Sequence, residues 1–384
     1  MEITTDNWMR LNFRPLPVMV RGEGSYLWDR EGKRYLDFIQ GWAVNALGHS
    51  PKELRAAINE QLDRVLNVGP AHFNEPALAL TMRLAELSGL EKVFLANSGA
   101  EANEGAVKLC RKWGQLHKRG AFEVITTVDS FHGRTLAMTC ATGKAGWDAA
   151  FPPRVEGFKK VPYGNVEAVA AAVNENTVAV MVEPIQGEAG AVVPPDGYLR
   201  ELRALCDQKE LLLVCDEVQT GLCRTGPLFA FQREEIRPDI VTLGKGLGGG
   251  LPIAAFLARR EVACFQEGDH GSTFGGNALC SAAALAVIAA LTSAEARTER
   301  EASSRCLVET LQRIASRLGA ELRGRGHLFG LVLPAERAVS LRDRAFDRGL
   351  LVNAARPNVL RFMPELRVRR AEIAEMSDIL LSVC

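Results

Sequence analysis

The sequence predicts an α/β protein: a mostly parallel central sheet flanked by helices, followed by a small α+β C-terminal domain. Between about residues 90 and 260, short apolar runs recur without polar alternation, as strands buried on both faces do. Amphipathic stretches of helical spacing separate these runs, and that alternation favours a parallel sheet with helices on its faces. From residue 291 onward the pattern changes to one long helical stretch, Glu301–Leu318, mixed with the short runs Leu328–Leu333 and Val359–Phe362.

In chain order, Tyr26-Leu27-Trp28-Asp29 and Arg34-Tyr35-Leu36-Asp37-Phe38 lie on either side of Glu31-Gly32-Lys33, which predicts a hairpin or small meander. Helical spacing begins near Pro51 and runs through Leu54, Ile58, Leu62 and Val65. The strand candidates of the central sheet are Val93–Ala96, Val124–Val128, Val178–Val182, Leu211–Cys215, Ile240–Leu243 and Ile253–Leu257. Ala282–Leu291 is apolar but too short to span a bilayer, and predicts a buried helix. The expected division is an N-terminal segment, 1–50, packing with the small domain; a large domain, 51–290; and the small domain, 291–384.

Composition narrows the function. The chain has 384 residues, 47% of them hydrophobic, enough for a large core and more than one domain. Its 46 basic and 46 acidic residues cancel, so nothing draws it to nucleic acid or to a membrane surface. Nine cysteines form no CxxC pair and the histidines number six, so no metal site is expected. The odd cysteine count and the polar, acidic start Met1–Asp6, which is not an export signal, point to the cytoplasm.

In sheets of this kind ligands bind beyond the carboxyl ends of the strands, so the residues after each run carry the chemistry. Lys245 follows Ile240–Gly244 and precedes Gly246-Leu247-Gly248-Gly249-Gly250. Desolvation there disfavours the ammonium and leaves an amine able to attack an aldehyde. Asp216 ends the run that begins at Leu211. A lysine and an aspartate at two strand ends are what pyridoxal 5′-phosphate needs: one attaches the cofactor, the other keeps its ring nitrogen protonated. Taken alone, such a pair is more often a solvated loop lysine and a helix cap; the surrounding segments reverse that balance.

Other segments point the same way, each weakly. Asn97-Ser98-Gly99-Ala100-Glu101 reads as a helix start able to hold a phosphate. Phe131-His132-Gly133-Arg134 offers an aromatic for a cofactor ring and an arginine for a carboxylate. Glu183-Pro184-Ile185-Gln186-Gly187-Glu188 places two carboxylates at a strand end, and Val218-Gln219 follows Asp216 and Glu217. Ser272-Thr273-Phe274-Gly275-Gly276-Asn277 is a second hydroxyl-rich helix start.

Together, segments 97–103, 131–135, 183–188, 216–221, 244–250 and 272–277 resemble the class III (ω-amino) aminotransferases, a fold type I family dependent on pyridoxal phosphate. The likeness runs from about Arg21 to Pro364, and within the class it is greatest to the acetylornithine branch. The resemblance implies that Lys245 holds the cofactor and moves the substrate proton, while Asp216 pairs with the ring nitrogen. It implies that Gly99, Ala100 and Thr273 bind the phosphate, Thr273 reaching in from the other subunit of a homodimer with shared sites. Phe131 and Val218 would enclose the ring, Gln219 would donate to its phenolic oxygen, and Glu217 falls in the same cofactor-contacting segment. Arg134 and Ser272 would contact the amino donor. Glu188 would mask Arg361 while a distal amine reacts and free it for 2-oxoglutarate. The implied reaction moves the distal amine of N2-acetylornithine to 2-oxoglutarate, as in arginine biosynthesis.

Succinyldiaminopimelate, succinylornithine, ornithine and 4-aminobutyrate aminotransferases stay open as alternatives, as does an aminomutase of the same fold. A cofactor-binding protein without catalysis has no use for both a proton-transfer lysine and a charge switch. A P-loop at Thr142-Gly143-Lys144-Ala145-Gly146 fails for want of the upstream glycine. Three departures leave donor choice open: Gly69-Pro70-Ala71-His72-Phe73 ahead of Asn74-Glu75-Pro76, Arg356 where glycine is common, and Trp42 as either core or pocket wall.

Overall fold

The computed structural model describes residues 7–9, 11 and 17–384. Met1–Asp6, on which the reading of no export signal rests, lie outside the described residues. The chain opens with an antiparallel meander, β1 (Met19–Glu23), β2 (Tyr26–Asp29) and β3 (Arg34–Asp37). The turn between β2 and β3 is closed by Asp29, whose Oδ1 accepts from the Lys33 amide at 2.8 Å, with Gly32 at φ 85°.

The central sheet is built from β4 (Lys92–Ala96), β5 (Glu123–Thr127), β6 (Phe158–Val161), β7 (Thr177–Val182), β8 (Leu212–Asp216), β9 (Ile240–Leu243) and β10 (Ala254–Ala258). Its order is β4-β10-β9-β8-β7-β5-β6. The strands from β9 to β6 are mutually parallel, and β10 runs antiparallel to both of its neighbours. Every residue of β7, β8, β9 and β10 is buried, which is why their sequences lack polar alternation. One consequence positions the site: β7, β8 and β9 are adjacent and parallel, so the residues that follow them emerge side by side.

The C-terminal part holds a four-stranded antiparallel sheet in the order β11 (Glu321–Arg325), β12 (Leu328–Val332), β15 (Val359–Phe362), β14 (Asn353–Arg356). The short β13 (Leu350–Leu351) pairs instead with β3, in parallel. Leu36 and Phe38 share one buried core with Leu307, Phe329, Leu360 and Phe362, whereas Leu95, Ile125, Leu213 and Leu257 belong to another. Ala278–Thr292 is a helix, packed against the helices Lys52–Leu62 and Glu75–Ser88. No single helix among the described residues is long and apolar enough to cross a membrane.

Several boundaries differ from expectation. The first helix stops at Leu62, capped at Asp63, short of Val65. The long helix starts at Ala294, not Glu301, because Ser293 accepts the Ala296 amide at 3.1 Å and caps a first turn that is polar in sequence. The edge strand β6, with Lys159 and Lys160 at its centre, carries too little apolar pattern to be seen without its partner β5.

Candidate active site

Lys245 follows β9 through Gly244 and has φ 39°, a left-handed conformation that a side-chain-bearing residue adopts only where its surroundings impose it. Against it lies a second left-handed stretch: Gln40, Gly41, Trp42 and Ala43 all have positive φ. A Cβ on Gly246 would touch Ala46 and the Ala43 carbonyl, so this turn abuts the segment that carries the lysine. Trp42 itself is 48% exposed and is not a core residue. Burial holds the Lys245 ammonium below its usual range and Arg361 pushes the same way, while Glu188, Asp216 and Glu183 pull back.

Asp216 closes β8 and is nearly inaccessible. Its Oδ2 accepts from Asn103 Nδ2 at 2.8 Å and from His132 Nδ1 at 2.7 Å, and its Oδ1 accepts from the Val218 amide at 3.0 Å. Burial alone would pull the His132 imidazole down, but the hydrogen bond and charge of Asp216, with the charge of Glu183, leave it raised. Asn103 also donates to the His132 carbonyl at 2.7 Å. Three donors thus fix the orientation of the aspartate side chain.

Glu183, following β7, accepts from the Phe131 amide at 2.9 Å and so ties the 131–134 loop to the sheet. Its carboxyl is pushed up to about 7, by burial first and then by the charge of Asp216, against the opposing pull of His132. The same loop packs on the helix Gly99–His117: Gly133, at φ 140°, lies against Ala100, where a Cβ would stand 2.7 Å from that of the alanine. At the start of that helix, Ser98 and Glu101 form a capping box that engages the amides of Asn97, Ser98 and Glu101. The capping bonds do not use the Gly99 and Ala100 amides, which point out of the first turn where an anion is favoured. Val218 sits over Gly99, leaving 2.6 Å to any Cβ there, and Gly244 is close to both.

Arg361 lies on β15 opposite Gly330 and Asn353, and is 1% exposed. It donates to Glu188 Oε1 at 2.7 Å, to the Gly187 carbonyl at 2.7 Å and to Asn353 Oδ1 at 3.1 Å. Glu188 is pushed down to about 2: burial opposes the shift, and the charges of Arg361, Lys144 and Lys245 overcome it. Gln219 rests on Gly187, where any Cβ would collide with its amide, and its buried Nε2 has no partner in the described structure. Arg134 is exposed, with its guanidinium 4.6 Å from the centre of the Trp147 ring and 5.9 Å from that of Phe131.

The residues singled out in the sequence do not all converge. Lys245, Asp216, Glu188 and Arg361 lie within reach of one another's charge. Val218 contacts Asp216 and reaches Gly99, and Gln219 contacts Arg361. Phe131 joins them through Lys144, and Arg134 lies against Phe131. The Glu217 carboxylate is taken up elsewhere: it accepts from the Ala230 and Phe231 amides at 2.9 and 2.8 Å and from Thr220, and so anchors the 230–234 turn rather than facing the cofactor side. Ser272 accepts from Asn97 Nδ2 and the Gly275 amide, both at 3.0 Å, beside the helix start. Thr273 stays on an exposed loop. Arg356 pairs with Asp129 at 2.5 Å. Sequence reasoning assigned no role to Asn103, His132, Glu183, Lys144 or Trp147; Asn103, His132 and Glu183 stand inside the quoted segments, and position beside Asp216 and Phe131 was the missing signal.

The residues fit pyridoxal phosphate. A carboxylate held by three donors would suit a ring nitrogen, an unpartnered buried amide donor a phenolic oxygen, a helix start a phosphate, and a desolvated lysine an aldehyde. Among the described residues no group of three or more His, Cys, Asp or Glu side chains is placed to hold a metal ion.

The aminotransferase class-III family model matches residues 11–384. The chain belongs to the class-III aminotransferases. Pyridoxal phosphate is the cofactor of that class. Among its relatives, acetylornithine aminotransferase 2 of Bordetella bronchiseptica is 48% identical over 374 residues, covering 96% of this chain and 94% of the relative. The N-acetylornithine aminotransferase of Stenotrophomonas maltophilia superposes with a TM-score of 0.85 at 37% identity, over 97% of this chain and 96% of that one. The ornithine aminotransferase of Toxoplasma gondii, crystallised with oxidised glutathione and showing partial occupancy of pyridoxal phosphate at its active site, gives a TM-score of 0.93 at 32% identity, over 99% and 92%. This class-III aminotransferase thus shares its fold with both acetylornithine and ornithine enzymes, and its quoted sequence identity is higher with the former.

Proposed function

We propose that the protein transfers the distal amine of N2-acetyl-L-ornithine to 2-oxoglutarate, giving N-acetylglutamate 5-semialdehyde and glutamate. The observation that carries this reading is the Glu188–Arg361 pair beside Lys245. A donor whose amine lies far from its carboxylate needs no cation next to the reacting carbon, whereas 2-oxoglutarate needs one. An arginine masked by a neighbouring carboxylate serves both. Hydrogen bonds to charged groups contribute about 1.5–3 kcal/mol, so masking shifts selectivity by roughly ten- to a hundred-fold. The names of the relatives supply the acetylated donor, and exposed Arg134 offers a grip for its α-carboxylate.

When bound, pyridoxal phosphate supplies an aldehyde that exchanges amines and a ring that accepts electrons from a breaking C–H bond. The protein does the rest. Lys245, with its ammonium destabilised by burial, carries the proton off and onto the substrate carbon. Asp216, held by Asn103 and His132, keeps the ring nitrogen protonated. The Gly99 and Ala100 amides would hold the phosphate, Phe131 and Val218 would bound the ring, and Gln219 Nε2 would donate to the phenolic oxygen.

The active unit in this reading is a cytoplasmic homodimer. In support, Phe73, Met82 and Phe274 are 88%, 73% and 63% exposed, and a surface recess of about 630 Å³ runs past Phe73, Met82 and Ser272. Covering such residues with a second copy removes apolar surface from water and brings the partner loop carrying Thr273 to the phosphate end. The same reading assigns segment 1–50 to the small domain, supported by the shared core of Leu36, Phe38 and Leu307 and the β3–β13 pairing. The product belongs to arginine biosynthesis.

Absorption spectra with successive additions test the reading. Acetylornithine should bleach the visible band of the yellow holoenzyme and 2-oxoglutarate should restore it. If ornithine or 4-aminobutyrate bleaches it faster than acetylornithine at equal concentration, the donor assignment is wrong.

A further inference from the structure

We propose that Lys144 is a positioning residue for the acceptor half-reaction: it keeps Glu188 paired when an incoming dicarboxylate displaces that carboxylate from Arg361. The proposal rests on the charge-switch reading above and adds a third member to it.

The geometry divides Glu188 between two cations. Oε1 meets Arg361 Nη2 at 2.7 Å, and Oε2 meets Lys144 Nζ at 3.2 Å. The two come from different layers: Arg361 from β15, and Lys144 from the segment just past the helix Leu136–Ala141. Lys144 is fixed independently of Arg361, because its ammonium also lies 4.7 Å from the centre of the Trp147 ring and 5.2 Å from that of Phe131. Both members of the Lys144–Glu188 pair are largely covered, with side chains 19% and 23% exposed.

Physics gives that second contact a purpose. When a substrate carboxylate binds Arg361, Glu188 loses a hydrogen-bonded ion pair and gains a like charge nearby. A largely buried carboxylate left without a partner is strongly destabilising. The charges of Lys144 and Lys245 also pull the carboxyl down, so Glu188 does not depend on Arg361 alone to stay ionised. With Lys144 on the other oxygen, Glu188 stays paired throughout. Two cations against one carboxylate also leave a net positive charge that favours a dianionic acceptor over the donor. A solvated ion pair of no consequence is the competing account, and exposed pairs commonly behave so.

Holoenzyme kinetics decide between them, using acetylornithine and 2-oxoglutarate with wild type, Lys144→Met, Lys144→Arg, Glu188→Gln and the Lys144→Met/Glu188→Gln double variant. Loss of one charged hydrogen bond corresponds to about a ten-fold rise in KM for 2-oxoglutarate relative to KM for acetylornithine in Lys144→Met. Lys144→Arg should keep the wild-type ratio. In the Glu188→Gln background there is no anion to hold, so adding Lys144→Met should change the ratio less than about two-fold. An unchanged ratio in Lys144→Met, or an equal effect in both backgrounds, overturns the proposal while leaving the function reading intact. A wild type that does not turn over acetylornithine at all overturns the function reading first, and this one with it.

Discussion

Glu188 Oε1 and Arg361 Nη2 stand 2.7 Å apart across the boundary between the central sheet and the C-terminal sheet, and the arginine is almost wholly buried. Glu188 is the more exposed of the two side chains, 23% against 1%, so it and not Arg361 is the half that can swing aside. Glu188→Ala should therefore unmask the arginine. Its kcat/KM for glutamate, relative to acetylornithine, should rise by roughly ten- to a hundred-fold. Competing the two donors at equal concentration measures the ratio, and an unchanged ratio removes the switch. Because the Glu188 carboxyl is depressed to about 2, below its unfolded value of 4.5, the stability it contributes is complete above about 4.5 and is lost only as pH falls toward 2. The donor preference should then show no break from this group between about pH 5 and 8.

Lys245 should be indispensable. Lys245→Ala leaves no amine to bind the aldehyde covalently and no group to carry the substrate proton, so turnover should fall by at least about 10³-fold. The visible absorbance should disappear on dialysis. Retention of both the band and the activity would assign these roles elsewhere.

Gly99 is required by contact with Val218, not by backbone conformation. A methyl at that position would stand 2.6 Å from Val218 Cγ1, directly beside Gly244. Gly99→Ala should lower stability by about 1–3 kcal/mol through overpacking and weaken cofactor binding together, because the displaced backbone carries the amides proposed to hold the phosphate. Thermal melts with and without pyridoxal phosphate report both effects. A loss of stability with unchanged cofactor affinity would separate Gly99 from the phosphate.

Much of the fold was legible because burial on both faces writes itself plainly: β7, β8 and β9 are nearly unbroken apolar runs, and β8 and β9 lead into Asp216 and Lys245, which chemistry had already marked. What escaped lacked a local signature. β6 carries Lys159 and Lys160 and becomes a strand only by pairing with β5. β11 has Gly324 and three charged residues among its five, and is defined by its register with β12. In the site, Lys245 and Asp216 declared themselves by position, whereas Lys144 sat in a segment whose glycines drew attention to phosphates. Glu217 shows the opposite error: adjacency to Asp216 in sequence turned its side chain the other way, as alternation along a strand end requires.

His132 should make the apoprotein pH-sensitive. Its imidazole is raised above its unfolded value of 6.5 by Asp216, so it contributes stability that is present below about 6.5 and fades as pH rises through the higher folded value. Chemical denaturation of the apoprotein between about pH 6 and 9 should show that decline. His132→Gln should flatten it while keeping a donor for Asp216. A slope unchanged by the substitution would place the titration in another group.

Arg134 tests the donor end of the site independently of the switch. Its guanidinium has no carboxylate partner among the described residues and rests only on Trp147 and Phe131. An arginine held in place by rings, with its donors free, is poised for a bidentate carboxylate. Removing it should therefore fall on the substrate whose far end it grips. Arg134→Ala should lower kcat/KM for acetylornithine by roughly ten- to a hundred-fold, the value of the charged hydrogen bonds lost. Arg134→Lys should recover only part, since a point charge cannot reproduce the fork. The KM for 2-oxoglutarate, whose α-carboxylate the proposed switch assigns to Arg361, should move far less. Equal losses on both substrates would mean that Arg134 supports the Phe131–Trp147 wall rather than the donor, and the α-carboxylate would then need another cation.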